Sequence, residues 1–161
     1  MNLIKKIIAI SGFLLVFISA SAQKNLNIKT VFENYGKQEG SVLIELAKDV
    51  LTHYTKISQY KSMIIPFDPK IADICTDAIA KDIINGNIMM ESKKGGKTET
   101  AYYCLHKKEN VSDYEYILFT NKNRKITLIY LSGNFEPEQL ENELNKLKNL
   151  FIKVNNKRIK L

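Results

Sequence analysis

Between Tyr114 and Val154 the spacing of apolar residues changes period once, which predicts a β-hairpin running into a helix. Tyr114-Glu-Tyr-Ile-Leu-Phe-Thr120 and Lys125-Ile-Thr-Leu-Ile-Tyr-Leu131 are rich in the β-branched and aromatic residues that suit a pleated surface. The polar link Asn121-Lys122-Asn123-Arg124 joins them, with Asn able to take a positive φ. With Thr120 opposite Lys125, alternation puts Ile117, Phe119, Ile126 and Leu128 on one face, and Tyr114, Tyr116, Leu118, Thr127, Ile129 and Leu131 on the other. Neither face is cleanly polar. The hairpin is therefore either central in a sheet covered on both sides, or it leaves a tyrosine-bearing face partly open. Beyond Ser132-Gly133-Asn134 the period lengthens. Leu140, Leu144, Leu147, Phe151 and Val154 form a helical stripe, with Pro137 in the first turn and Glu136, Glu138 and Glu141 at the positive end of the helix dipole.

The same reading extends upstream. Asn25 to Tyr35 is a helix with Leu26 and then Ile28, Val31, Phe32 and Tyr35 on one face, and Gly36 is placed to stop it in a left-handed cap. Val42 to Leu46 is a strand, Lys48 to Tyr54 is a helical turn or an irregular crossing, and Ile57 to Ile65 is extended until Pro66. Asp68 and Pro69 open a second helix as N-cap and first-turn residue. Its buried stripe is Ile71, Ile74, Cys75, Ala78, Ile79 and Ile83, and Gly86 ends it. Asn87 to Ser92 and Thr98 to His106 flank the glycine turn Lys93-Lys94-Gly95-Gly96-Lys97. Sequential strands joined by short links favour antiparallel pairing. The expected fold class is α+β: an antiparallel sheet of about six strands with three helices, packed mainly on one face.

Residues 1–22 do not belong to that fold. Lys5 and Lys6, the apolar run Ile7 to Ile18 and the small residues Ala20-Ser21-Ala22 have the order of a signal peptide, with cleavage between Ala22 and Gln23. The apolar run is short for a membrane span, although an uncleaved anchor is the alternative. No Cys follows it, which argues against a lipoprotein anchor. Residues 23–161 then form one domain, periplasmic or secreted, with no stable membrane anchor. Losing Lys5 and Lys6, with no acid among residues 1–22, takes the formal charge from +7 to +5. The lysine excess is scattered except at Lys153 to Lys160. That basic tail is a solvated terminus or a contact to anionic membrane. No aromatic-interleaved basic groove or motif points to nucleic acid.

Little chemistry is singled out. Cys75 and Cys104 are the only cysteines, and in an oxidising compartment they could pair across a loop of about 30 residues, worth roughly 3–4 kcal/mol on chain-entropy grounds. The alternative is two buried apolar thiols. His53, Cys75, Cys104 and His106 lack zinc-site spacing, only Cys104-x-His106 being local. Gly96-Lys97-Thr98 resembles the end of a phosphate loop, but Glu91 stands where its first glycine belongs and the context is strand-turn-strand. No nucleophile elbow, metalloprotease motif or distinctive carboxylate pair is present, so no catalytic, cofactor-binding or metal-ligating residue is assigned. Tyr102, Tyr103, Tyr114, Tyr116 and Tyr130 crowd the strands. This is ordinary β-propensity or, for Tyr102, Tyr114, Tyr116 and Tyr130, an exposed face for a peptide, glycan or partner.

Two segments carry a family likeness. These are Val31-Phe-Glu-Asn-Tyr-Gly-Lys-Gln-Glu-Gly40 before a strand, and Ile126-Thr-Leu-Ile-Tyr-Leu-Ser-Gly-Asn-Phe135 leading into Glu138-Gln-Leu140. Through them the chain resembles a domain family of unknown function from secreted and envelope proteins of Bacteroidetes. The resemblance implies an exported α+β domain and supplies no catalytic residues. The expected function is a binding or interaction module for an envelope protein, peptide or glycan. The alternatives are a small cell-envelope hydrolase built around His53 or His106, and peripheral association with anionic membrane through the basic tail.

Overall fold

The computed structural model describes residues 26–107 and 109–158, with side chains described as far as Leu150. In chain order the elements are α1 (Asn27–Tyr35), β1 (Val42–Leu46), α2 (Lys48–Tyr54), β2 (Ile57–Pro66), α3 (Pro69–Asp82), β3 (Asn87–Lys94), β4 (Lys97–Cys104), β5 (Tyr114–Lys122) and β6 (Lys125–Gly133). A 3₁₀ turn (Pro137–Gln139) then leads into α4 (Leu140–Arg158). The strands form one antiparallel sheet in the order β1-β2-β6-β5-β4-β3. The fold is therefore α+β with six strands, as the periodicity predicts. Among the described residues there are four α-helices rather than three, because Lys48–Tyr54 is a true helix.

Helices lie against both sides of the sheet, not mainly one. On the first face Ile28, Val31 and Phe32 of α1 and Ala72, Cys75, Ala78 and Ile79 of α3 pack with Ile117, Phe119, Ile126, Leu128 and Tyr130. On the second, Leu51 of α2 and Leu140, Leu147 and Leu150 of α4 pack with Tyr60, Tyr116, Leu118, Leu131 and Phe135. Alternating residues of β5 and β6 thus enter two separate cores, which is why neither strand has a cleanly polar face.

The first core is tied by a contact between helix ends. Asp82, at the end of α3, accepts hydrogen bonds from the backbone N–H of Asn27 (2.7 Å) and of Ile28 (2.9 Å). It thereby supplies the acceptor that the N-terminus of α1 lacks locally. Asp68 caps α3 as expected, accepting from Lys70 N–H at 2.8 Å and Ile71 N–H at 3.2 Å. Gly36, by contrast, is right-handed (φ −67°), and the chain turns at Gly40 instead.

Two stripes shift from expectation. On α3, Ile74 is exposed and Ala72 is buried in its place. On α4 the buried line runs through Leu140, Glu143, Leu147 and Leu150. The expected members Phe151 and Val154 lie outside the described side chains. The β5–β6 register also moves. Lys122 faces Lys125 and Thr120 faces Thr127, because the connection is the two-residue turn Asn123-Arg124 with φ of 55° and 60°. Such a turn matches the right-handed strand twist and lets β5 run on to Lys122. The displacement is even, so each residue keeps the face predicted for it.

Candidate functional site

Helices pack on both faces of the sheet, although β3 at its edge stays largely exposed, and a concave surface lies at one strand end. The turns Gly95-Gly96 and Asn123-Arg124 both lie at that end, each with positive φ at its two residues. Between them opens a groove of about 310 Å³, lined by Phe67, Lys94, Lys97, Thr98, Glu99, Asn121, Lys122, Asn123 and Arg124. Phe67, between β2 and α3, is 45 % exposed although it is a large apolar ring. Its backbone N–H donates to the Arg124 carbonyl at 2.9 Å, which binds the β5–β6 turn to the start of α3.

Lys94, Lys97, Lys122 and Arg124 line this groove, with Glu99 the one acidic residue in the lining and Asp73 close by. Lys122 lies 3.5 Å from Glu99, and Lys97 lies 3.9 Å from Asp73 with both side chains mostly exposed. Exposed pairs of this kind are worth little and exchange readily for a ligand. A surplus of positive charge at a concave apolar platform attracts and orients anions. Sequence reading missed this site. Its signal was a pair of turns, each flanked by lysine or arginine and distant in sequence, which only the sheet order brings together.

The tyrosines do not form one face. Tyr116 and Tyr130 are fully buried, and they point into opposite cores. Tyr116 donates to the Phe135 carbonyl at 2.8 Å and Tyr130 donates to Glu115 at 2.7 Å. Burial, more than any neighbouring charge, pushes both hydroxyls well above their ordinary value. Tyr114 is half-buried and stacks on Tyr116, with the Lys107 ammonium 4.0 Å above its ring and its hydroxyl donating to Glu136 at 2.8 Å. Tyr102 is half-buried against the second core. Tyr116 and Tyr130 are therefore not available to the expected open tyrosine surface, whereas Tyr102 and Tyr114 stay partly exposed.

Of the two cysteine readings, the arrangement of the chain has the buried thiols. Cys75 and Cys104 are free thiols, and the sheet separates them, Cys75 in the first core and Cys104 in the second. Burial pushes the Cys75 thiol up to about 12. The Cys104 thiol is also raised, by burial first and then by Glu136 and Glu138. Both are protonated at neutral pH, so neither is an activated nucleophile. His53 and His106 are exposed. No group of three or more His, Cys, Asp or Glu side chains converges as a metal site among the described residues.

A second polar cluster lies at the opposite strand end. Ser58 donates to Asp113 at 2.5 Å and lies 3.2 Å from the Ser132 hydroxyl. Ser58 gives its proton directly to a carboxylate, so the cluster fastens β2 to β6 and to the segment before β5. Residues 1–25, with the expected cleavage point Ala22/Gln23, lie outside the described residues, as do the side chains of the tail Lys153 to Lys160. No helix among the described residues is long and apolar enough to cross a membrane.

The sequence profile of DUF6108, a family of unknown function, matches residues 15–144. The chain belongs to the DUF6108 family. No curated protein matches this sequence. The DUF6108 match takes in all six strands and extends into α4, so every residue lining the groove falls within the family's own domain.

Proposed function

We propose that this DUF6108 protein is an exported binding module, periplasmic or secreted, and that its working surface is the groove between the two hairpin turns. The observation that carries the reading is the convergence of Lys94, Lys97, Lys122 and Arg124 with exposed Phe67 on one concave surface. Pockets of this kind pair an apolar platform with a few polar groups that fix orientation. Export is supported by the positively charged start, the apolar run and the small-residue cleavage site of residues 1–22. A cell-envelope hydrolase would need an activated acid, base or nucleophile beside the bound substrate. The groove is lined by lysine, arginine, amide and hydroxyl groups with a single carboxylate, a set better suited to holding a ligand than to cleaving one.

The test is to produce the full chain, purify the exported protein and use it to capture material from an envelope extract, beside a Lys97→Glu/Arg124→Glu variant. Capture by the first and loss of that material by the second is expected. Equal capture by both would remove the groove from the account. N-terminal sequencing of the same preparation is expected to begin at Gln23, and a start at Met1 would overturn the export reading.

A further inference from the structure

Resting on the groove reading, we infer that the ligand is an acidic saccharide, with Arg124 as its anchor. Arg124 occupies the second position of a two-residue turn at φ 60°, where glycine is the favoured residue. The neighbouring turn, Gly95-Gly96, fills both of its positive-φ positions with glycine. A non-glycine residue in this conformation carries a steric cost from its Cβ. Such local strain is a pointer to function when the side chain supplies something the backbone does not need.

The added side chain is a guanidinium. Its planar fork of N–H donors matches the two oxygens of a carboxylate or a sulfate. Lys94 adds a point charge to the same groove, while Lys97 and Lys122 are shared with Asp73 and Glu99 in exposed pairs that a ligand can replace. Beside them the Phe67 ring is a flat apolar platform, held next to Arg124 by the bond from its N–H to the Arg124 carbonyl. A pyranose ring has an apolar C–H face that lies on such a ring, and edge hydroxyls that the Asn121 and Asn123 side chains can meet as donors and acceptors. At about 310 Å³ the groove is at the small end of ligand pockets, which suits a few sugar units and not a folded partner. A single-stranded nucleic acid would call for successive aromatic platforms along a charged track. The groove offers one aromatic ring.

The closing experiment titrates the isotope-labelled exported protein with three hexasaccharides and follows backbone amide shifts. The probes are a heparin-derived one (sulfate and carboxylate), an oligogalacturonate (carboxylate alone) and neutral cellohexaose, with single-stranded DNA as a competitor. Shifts at Phe67, Lys97, Asn123 and Arg124 are expected with the acidic probes and not the neutral one, and added salt is expected to weaken them. The Arg124→Gly variant relieves the turn, so its melting temperature should be no lower, while affinity for the acidic probe falls by about tenfold or more. Equal binding of the neutral sugar, preference for DNA, or no shift with any probe would overturn the saccharide assignment. If capture from envelope extract still depends on Arg124 in that case, the groove reading survives. If that capture is also indifferent to Arg124, both readings fall.

Discussion

Glu143 shows how much one side chain can settle in a small domain. Its carboxylate, 1 % exposed, accepts from the Lys56 backbone N–H at 2.7 Å and from the Lys146 ammonium at 2.7 Å. It pins α4 to the link between α2 and β2. Glu143→Ala leaves that N–H without a partner and is expected to cost about 2 kcal/mol in urea denaturation. Glu143→Gln keeps an acceptor and should cost less. The buried tyrosines make a second prediction. Tyr116 and Tyr130 hold their protons in the folded state well above the ordinary value of 10.0, chiefly through burial. The unfolded chain ionises first, so their contribution is fully present below about pH 10 and is lost as pH rises beyond it. The Tyr116→Phe/Tyr130→Phe double variant should therefore lose stability less steeply on the alkaline side, measured as urea midpoints across that range. A slope equal to that of the parent protein would contradict the burial assignment.

At the scale of elements, the β6 exit is the tightest joint. A Cβ on Gly133 would run into the Lys56 carbonyl and come within 2.6 Å of the Phe135 ring. Gly133→Ala must push that backbone aside and is expected to destabilise by roughly 1–3 kcal/mol, read from thermal unfolding. The elements themselves were largely legible in the sequence. Period-two strands, the Asp68-Pro69 helix start and the Gly95-Gly96 turn all stand where local chemistry puts them. What was not legible depended on distant partners. Arg124 reads as a polar link residue until the strands are seen to extend to Lys122 and Lys125. Glu143 lies outside the expected stripe of α4, and its burial follows only from the Lys56 N–H that lies against it. The capping of α1 by Asp82 joins residues 55 apart, beyond any local pattern.

For the whole molecule, the sheet acts as a partition. It divides the apolar residues into two cores and keeps Cys75 and Cys104 apart. Protein isolated without reductant should give two reactive thiols per chain on denaturation and almost none while folded. Absence of free thiol after denaturation would mean a bridge and would contradict this arrangement. The sequence left two readings of the tyrosine strands, covered on both sides or partly open, because the docking of the helices is not written in the strands themselves. It shows the glycine turn, but not that the Asn123-Arg124 turn stands beside it. The central claim is that the working surface is this strand end and neither sheet face. Hydrogen–deuterium exchange of the purified protein, with and without any material that it captures from envelope extract, tests that claim most directly. New protection is predicted at Phe67, residues 94–99 and residues 121–124, with the strand amides around Tyr102, Tyr114 and Tyr116 unchanged. Protection confined to those tyrosine strands or to the end of α4, with the turns unaffected, would contradict it.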